Sequence, residues 1–181
     1  MVAWALATPV WGSPDEYQHA YRAYAAVRGE VYVKPVAAVV GTGGYVDVPR
    51  GWIRSQFSIA CYAGTGTRSP ACLPPLTDDD TPVRIPSTAA RYNPVYYLWV
   101  GLPSLFMPAS DALLGMRLAS AALNAFFLAW AISAAMAARQ PAIVTGATLM
   151  AITPMIPFLG AAVNPNGLEI TSALCCWVAL P

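Results

Sequence analysis

Residues 112–138 read ALLGMRLASAALNAFFLAWAISAAMAA. This run contains one charged residue, Arg117, near its start. It is longer than the ~20 apolar residues that a helix needs to cross the ~30 Å hydrocarbon layer of a bilayer. We therefore predict a transmembrane helix over residues 112–138.

A second apolar run, residues 142–163, follows after Arg139, Gln140 and Pro141 and contains no charge. The core helix of a soluble protein can be apolar on all sides as well. Two runs of spanning length joined by so short a connection nevertheless favour a helical hairpin in a membrane. Residues 164–169, which follow the second run, are then predicted to form an outer loop.

Both ends of the chain are apolar but too short to span a bilayer. Residues 170–181 have about half the length of a membrane span and predict the start of a truncated transmembrane helix. Residues 1–8 predict the end of an incomplete first transmembrane helix or, alternatively, a complete short anchor at the membrane surface. They lack the basic start and the cleavage site of a secretory signal. We expect the chain to be the N-terminal portion of a longer protein.

The overall composition also indicates a membrane protein. The 181 residues are 57% hydrophobic and 10% charged, with Lys34 as the only lysine, whereas soluble domains have about a quarter charged residues. A net charge of +1 without a basic cluster argues against a nucleic-acid partner, because phosphate binding requires clustered Lys and Arg. The predicted fold class is an all-α membrane protein with a long extracytoplasmic first loop that carries short surface helices. The lipid bilayer is its first predicted partner.

Residues 9–93 contain most of the charged residues and are predicted to form this loop. Within it, Cys61 and Cys72 are separated by YAGTGTRSPA, which can bend back, so that a disulfide and two free thiols are both open interpretations. A disulfide would indicate an oxidising compartment and would place residues 9–93 outside the cytoplasm, with Arg139 inside. The GTGG stretch at residues 41–44 lacks the other residues of a phosphate-binding loop and predicts a flexible turn.

Residues 94–108 are apolar, aromatic at their start and interrupted by Pro103. They are too short to span a bilayer unaided, so they predict an interfacial or re-entrant helix. Arg117 lies near the start of the next span, where a charge is costly. Its side chain is therefore expected to extend to the membrane surface or to face a polar cavity.

The stretch PVWGSPDEYQHAYR, residues 9–22, predicts the start of an amphipathic helix. Ser13 suits the N-cap, Pro14 suits the first helical position, and Glu16 has the spacing of a capping box. The helix is therefore predicted to begin at residue 14.

On this helix Asp15, His19 and Arg22 are spaced to share one face. A carboxylate at a helix N-terminus is favoured in its ionised form by the helix dipole, which is the form that a general base or a metal ligand requires. The other interpretation is a helix lying on the membrane surface, with these three residues as its solvated face.

A second polar stretch, AAVNPNGLEI at residues 161–170, is predicted to lie on the same side of the membrane. Its candidate site residues are Asn164 and Glu169. Pro165 and Gly167 also fit a simple tight turn. Since Glu169 stands at the head of an apolar run and is costly without a partner, we expect the acids of the two loops to meet at one site.

Five motifs in this order resemble a known superfamily. They are PDE.QH..R after a first apolar segment, a long outer loop, NP.YY before a hydrophobic piece, an arginine leading a transmembrane helix, and NPNGLE in a second loop. The chain is similar in these motifs to the polytopic membrane proteins of the glycosyltransferase C superfamily, closest to an actinobacterial-type family of unknown function. The resemblance covers essentially the whole chain, as the N-terminal portion of a protein with many more spans.

The resemblance implies transfer of a sugar from a polyprenyl-phosphate donor to an acceptor outside the cytoplasm. The acid of the first loop, matched by Asp15 and Glu16, would be the catalytic base. The acid of the second loop, matched by Glu169, would bind a divalent metal or the acceptor. Arginine suits phosphate oxygens. The expected substrate-binding residues are His19, Arg22, Arg117, Asn164 and Glu169.

A protein without enzymatic activity is the alternative. In part of a transporter, or in an assembly partner, Asp15, His19 and Arg22 would form a structural ion-pair cluster and would contact no substrate.

Overall fold

The computed structural model describes residues 1–36, 43–63 and 67–180. Residues 41 and 42 of the predicted turn at residues 41–44 lie outside these ranges, and Gly44 begins the first strand. Most of the described chain is helical. The helices and strands are α1 (Val2–Ala7), α2 (Glu16–Val27), β1 (Gly44–Pro49), α3 (Arg50–Phe57), β2 (Pro82–Ser87), α4 (Pro94–Gly101), α5 (Ala109–Met136), α6 (Pro141–Ala151), α7 (Met155–Gly160) and α8 (Pro165–Ala179).

The chain divides into two compact units, which are described in turn. Thr8–Met116 form one, called here the polar unit. Met1–Ala7 and Arg117–Pro181 form the other, called here the apolar unit.

Helix α5 has 28 residues, which correspond to about 42 Å at 1.5 Å per residue. Within residues 1–36, 43–63 and 67–180 it is the single helix long and apolar enough to cross a membrane. Several of its large side chains are exposed, as a lipid-facing helix requires: Leu118, Phe126, Trp130 and Met136.

The predicted continuous helix over residues 142–163 is interrupted. Helix α6 ends at Ala151 and α7 begins at Met155. Pro154 explains the break, since proline has no N–H to donate and its ring clashes with the carbonyl four residues earlier. Helix α6 is therefore a short apolar helix of 11 residues.

The predicted outer loop at residues 164–169 is also corrected, because α8 begins at Pro165. The side chain of Asn164 caps this helix, its Oδ1 accepting a hydrogen bond from the Asn166 amide at 3.0 Å. Pro165 occupies the first turn, where a missing N–H costs nothing. The NPN sequence is thus a helix start, and Glu169 lies on α8.

A polar network lies inside the apolar unit. Asn124 of α5 is fully buried. Its Nδ2 donates to the Ser120 carbonyl at 2.9 Å and its Oδ1 accepts from the Thr171 hydroxyl at 2.9 Å. Gly160 and Gly167 bring α7 and α8 into close contact, since a Cβ on Gly167 would lie 2.9 Å from Gly160. Small residues and interhelical hydrogen bonds of this kind hold membrane helices together.

The polar unit contains a two-stranded antiparallel sheet, which corrects the all-α prediction. Strands β1 and β2 pair from Gly44 opposite Ser87 to Pro49 opposite Pro82. In β1 the sequence GYVDVP alternates, with Val46 and Val48 buried. This two-residue period is the mark of a half-buried strand.

Helix α2 forms the centre of the polar unit and packs against α4 and β1. The fit against α4 is close, since a Cβ on Gly101 would clash with the Ala23 carbonyl. Beside α2, Trp11, Tyr21 and Trp52 form an aromatic cluster with ring centroids 5.7–6.2 Å apart. The Trp52 indole donates a hydrogen bond to the Ala109 carbonyl at 2.7 Å.

Cys61 and Cys72 form a disulfide, with Cα atoms 6.2 Å apart. Nearby, the Tyr62 hydroxyl donates to the Val10 carbonyl at 3.1 Å, which attaches this segment to the start of the polar unit.

Within residues 94–108 the structure has α4 followed by a 3₁₀ turn at Leu102–Leu105. The Asn93 side chain caps α4, accepting from the Val95 amide at 3.0 Å. Many apolar side chains of this segment are exposed: Val95, Leu98, Trp99, Leu102, Leu105, Phe106 and Met107. Its placement in the membrane interface remains a prediction.

Candidate functional site

Helix α2 begins at Glu16, two residues later than predicted. Asp15 is its N-cap residue, and the side chain of Asp15 makes no capping hydrogen bond. The Ser13 hydroxyl is buried and has no hydrogen-bond partner within the described ranges. The Ser13 half of the predicted capping box is therefore absent, because its hydroxyl accepts no hydrogen bond from the amides at the helix start.

Asp15 and Glu16 are adjacent but lie in opposite environments. Asp15 is exposed, whereas Glu16 is fully buried. All nine acidic residues of the chain lie in the described ranges, and Glu16 is the buried one among them. Of this pair, Asp15 is the carboxylate open to an incoming molecule.

The backbone before α2 is strained. Trp11 has φ of 58° and Asp15 has φ of 55°, and within the described residues these are the two non-glycine positions with positive φ. Such conformations cost about 1–3 kcal/mol each and concentrate at functional sites. The tryptophan is the stronger outlier, since bulky residues rarely adopt this region. Its side chain is buried in the aromatic cluster, which keeps the turn in place.

His19 lies on the buried side of α2. Its Nδ1 is 2.8 Å from the Tyr97 hydroxyl, within hydrogen-bonding distance. Burial lowers the pKa of His19 to about 4, against a smaller raising effect of the Asp15 charge. The ring is therefore neutral at pH 7 and cannot attract a phosphate as a cation.

Arg22 binds the backbone of neighbouring segments. Its guanidinium donates to the carbonyls of Glu30 at 2.6 Å, Val31 at 2.9 Å and Tyr92 at 3.0 Å. The side chain is 1% exposed. Both terminal nitrogens are occupied, and the Nε atom, which has no partner among the described residues, is buried. In this structure Arg22 joins the end of α2 to residues 30–31 and to the entrance of α4.

The predicted shared face of α2 is therefore divided. His19 and Arg22 pack beneath α4, with the guanidinium carbon 5.9 Å from the centre of the Tyr97 ring. Asp15 alone of the three is exposed. A solvated polar face made of all three residues does not fit this arrangement.

The other predicted site residues belong to the apolar unit. Arg117 is buried and donates to the Ala5 carbonyl of α1 at 3.1 Å. Asn164 is buried at the cap of α8, and Glu169 is exposed on that helix. Because Asp15 belongs to the other unit, the expected meeting of the acids from the two stretches remains a prediction.

Within residues 1–36, 43–63 and 67–180 no group of three or more His, Cys, Asp or Glu side chains could hold a metal ion. A metal bound by Glu169 would have to take its remaining ligands from elsewhere.

Tyr97 is the site residue that the sequence interpretation missed. It is buried, contacts His19 and lies below Arg22. The NP.YY motif contains Tyr97, but both of its tyrosines are buried, so the motif alone does not single out the one that contacts His19.

Comparison with known proteins identifies the class of the chain. The family described as "Predicted membrane protein (DUF2142)" matches residues 1–180. No curated protein and no solved structure matches the chain. The family description gives a membrane location and no activity.

Proposed function

Since the chain belongs to the DUF2142 family of predicted membrane proteins, we propose that it takes part in sugar transfer on the outer side of a membrane. The donor is a sugar linked to polyprenyl phosphate, and Asp15 is the general base that activates the acceptor. The spanning length of α5 supports the membrane location. The disulfide between Cys61 and Cys72 supports an oxidising compartment for the polar unit.

The observation that carries this proposal is the position of Asp15. Its carboxylate is exposed at the N-terminus of α2, where helix amides stabilise a negative charge. The helix beneath it is held by His19 and Arg22, and the strained turn before it is fixed by Trp11. An exposed carboxylate on a rigid support is the arrangement that a general base needs.

In the proposed reaction the Asp15 carboxylate accepts the proton of an acceptor hydroxyl. The acceptor oxygen then forms a bond to the anomeric carbon of the sugar. The bond from that carbon to the phosphate oxygen breaks, and polyprenyl phosphate leaves with the electron pair. The base must lie within about 3 Å of the hydroxyl that it deprotonates.

The remaining predicted residues have different roles in this proposal. Glu169 is exposed and is proposed to bind the acceptor or a divalent metal. Arg117 and Asn164 are proposed to shape the donor site from buried positions. His19 and Arg22 are assigned to positioning Asp15, since a neutral ring and a buried guanidinium whose two terminal nitrogens already bind backbone carbonyls are poor phosphate ligands.

The alternative, a membrane protein without enzymatic activity, is favoured by one observation. Arg22 donates hydrogen bonds to three backbone carbonyls. His19 shares a hydrogen bond with the Tyr97 hydroxyl. Both residues therefore have structural roles that need no substrate. Only Asp15 separates the two proposals.

The test compares Asp15→Asn with Glu16→Gln in the full-length protein. We expect Asp15→Asn to reduce sugar transfer by about 10²- to 10⁴-fold, the usual contribution of a general base, with little change in thermal unfolding because Asn is nearly isosteric. Transfer is measured with a purified polyprenyl-phosphate sugar. Equal rates for Asp15→Asn and the wild-type protein would favour the structural alternative.

Glu16→Gln serves as the matched control for loss of one negative charge at the helix start. Because Glu16 is fully buried, its substitution should affect unfolding at least as much as transfer. If Glu16→Gln abolished transfer without affecting unfolding, and Asp15→Asn retained transfer, the general base would be Glu16.

A further inference from the structure

A surface cavity of about 530 Å³ lies beside the β1–β2 sheet in the polar unit. This volume is in the range of small-molecule sites, about 300–1,000 Å³. The residues around it are Glu30, Tyr32, Val33, Lys34, Val36, Tyr45 and Arg84.

One wall of the cavity is a fixed polar cluster. The Glu30 carboxylate accepts from the Asp47 amide at 2.9 Å and from Arg84 Nη1 at 3.1 Å. Arg84 also lies 3.2 Å from the Asp47 carboxylate. Two carboxylates thus share one guanidinium, and all three side chains are partly exposed to solvent, where a bound hydroxyl could reach them.

Lys34 forms no direct ion pair with the carboxylates of this cluster in the described residues. It is the only lysine in the chain and is exposed. In the part of the chain that the structure describes, both ion pairs belong to Arg84 and neither includes Lys34. The ammonium of Lys34 is therefore open to an anionic group in the cavity.

Two tyrosines provide the aromatic surface of the cavity. Tyr32 is 96% exposed, and Tyr45 is half-buried on β1. A sugar ring has an apolar C–H face and polar hydroxyls at its edge. A site with aromatic faces next to carboxylate and guanidinium groups matches both properties.

We propose that this cavity binds a saccharide that carries an anionic group, a carboxylate or a phosphate. The tyrosines contact the ring, Glu30 and Arg84 bind its hydroxyls, and Lys34 pairs with the anion.

The cavity is separate from Asp15. Glu30 follows the C-terminal end of α2, whereas Asp15 stands at its N-terminus, and 12 helical residues span about 18 Å. A sugar held in the cavity is therefore distinct from the hydroxyl that Asp15 would deprotonate. The saccharide site goes beyond the proposed transfer reaction and does not depend on it.

Calorimetric titration of the purified protein in detergent tests the proposal. The probes are trigalacturonate, glucose 6-phosphate, neutral galactotriose, and inorganic phosphate or acetate as bare anions. We expect one or both anionic saccharides to bind more tightly than galactotriose and than either bare anion. Binding of the neutral sugar with equal affinity, of bare anions with equal affinity, or of no probe at all would overturn the proposal.

Variants locate the binding. Tyr32→Ala is expected to weaken binding about 2- to 10-fold, from the usual worth of an aromatic contact, and Lys34→Gln about 2- to 5-fold, from that of an exposed ion pair. The matched controls are Phe57→Ala, which removes an aromatic ring that is 69% exposed and outside the cavity, and Arg54→Gln, which removes an exposed cation. Equal losses in controls and cavity variants would contradict the assignment. Because no donor lipid is present, failure here would leave the transfer proposal untouched.

Discussion

His19 shows at the scale of one residue how burial determines chemistry. The sequence spacing placed it on a polar face, where a cation would suit a phosphate. In the structure it lies beneath α4 beside Tyr97, and desolvation lowers its pKa to about 4. The neutral ring therefore supports α2 through a hydrogen bond and a ring contact, the two centroids being 6.0 Å apart.

This assignment predicts the titration of His19. It is the only histidine in the chain, so its imidazole resonances in an untagged protein are unambiguous. We expect an apparent pKa near 4 by nuclear magnetic resonance, and a value near the ordinary 6.5 would show that the ring is solvated.

The same shift predicts how stability depends on pH. The folded pKa lies below the unfolded value, so the unfolded chain binds more protons between pH about 4 and 6.5, and stability rises with pH through this window. The stability that depends on the neutral His19 ring should be fully present above about pH 6.5. Lowering the pH from 6.5 to 5 should cost about 1.6 kcal/mol, because the unfolded imidazole is half protonated at pH 6.5 and the slope approaches 1.36 kcal/mol per pH unit only below that pH. The unfolding midpoint of His19→Gln should fall less over this range, and an identical fall in both proteins would contradict the prediction.

Arg22 yields a second prediction at this scale. Arg22→Met should leave three part-buried carbonyls without their donor and lower the free energy of unfolding by about 1–3 kcal/mol, since water can replace part of the lost hydrogen bonding. Denaturant unfolding measures the loss. Arg54→Met, which removes an exposed arginine, is the control and should change stability little. Normal stability of Arg22→Met with lost sugar transfer would instead make Arg22 a phosphate ligand.

For residues 13–16, the sequence predicted a helix start but not the burial or the backbone conformation of these residues. The pattern SPDE correctly indicated a helix start next to two acids. It could not reveal that Ser13 is buried without a partner and that Asp15 has positive φ, because burial and backbone conformation at these positions are properties of the folded chain that the residue types alone do not specify.

At the scale of elements, the apolar helices are joined by a few polar contacts. Asn124 connects α5 to α8 through the Thr171 hydroxyl, and its Nδ2 lies 3.4 Å from the Gly160 carbonyl of α7. In an apolar environment such hydrogen bonds favour one arrangement of the helices over others, because the remaining surfaces of the helices are apolar and carry few specific contacts.

Replacing Asn124 should therefore loosen this packing. Asn124→Leu is expected to lower stability by about 1–2 kcal/mol, the upper part of the range for interhelical hydrogen bonds in membranes. Thermal unfolding in detergent measures the change. Ser133→Ala, which removes an exposed hydroxyl bonded only within its own helix in the described contacts, should have little effect. A loss no greater for Asn124→Leu than for Ser133→Ala would show that the network is dispensable.

Local rules explain element boundaries that the sequence interpretation missed. Asn164 caps α8 with Pro in the first turn, although a loop was predicted there, and Pro154 interrupts the apolar run that was predicted to be one continuous helix. The β1–β2 pairing was missed because its partners are far apart in sequence. Each strand has six residues and contains proline, which weakens the strand signal.

At the scale of the whole molecule, composition predicted the membrane class, and the family match agrees with it. The number of spans did not follow from composition, since one described helix has spanning length and the second apolar run is broken. The expected joint site for Asp15 and Glu169 combines residues of the two units and stays a prediction.

The proposal that Asp15 works on the outer face of a membrane depends on where the polar unit lies. Single cysteines at Asp80, in the polar unit, and at Gln140, between α5 and α6, can be labelled in intact cells with a membrane-impermeant maleimide. Both positions are exposed. Cys175 and Cys176 are replaced by serine, whereas Cys61 and Cys72 are retained, because a disulfide does not react with the reagent.

We expect labelling at position 80 in intact cells and labelling at position 140 only after the cells are permeabilised. Labelling at position 140 but not at position 80 in intact cells would place Asp15 in the cytoplasm and contradict sugar transfer on the outer face.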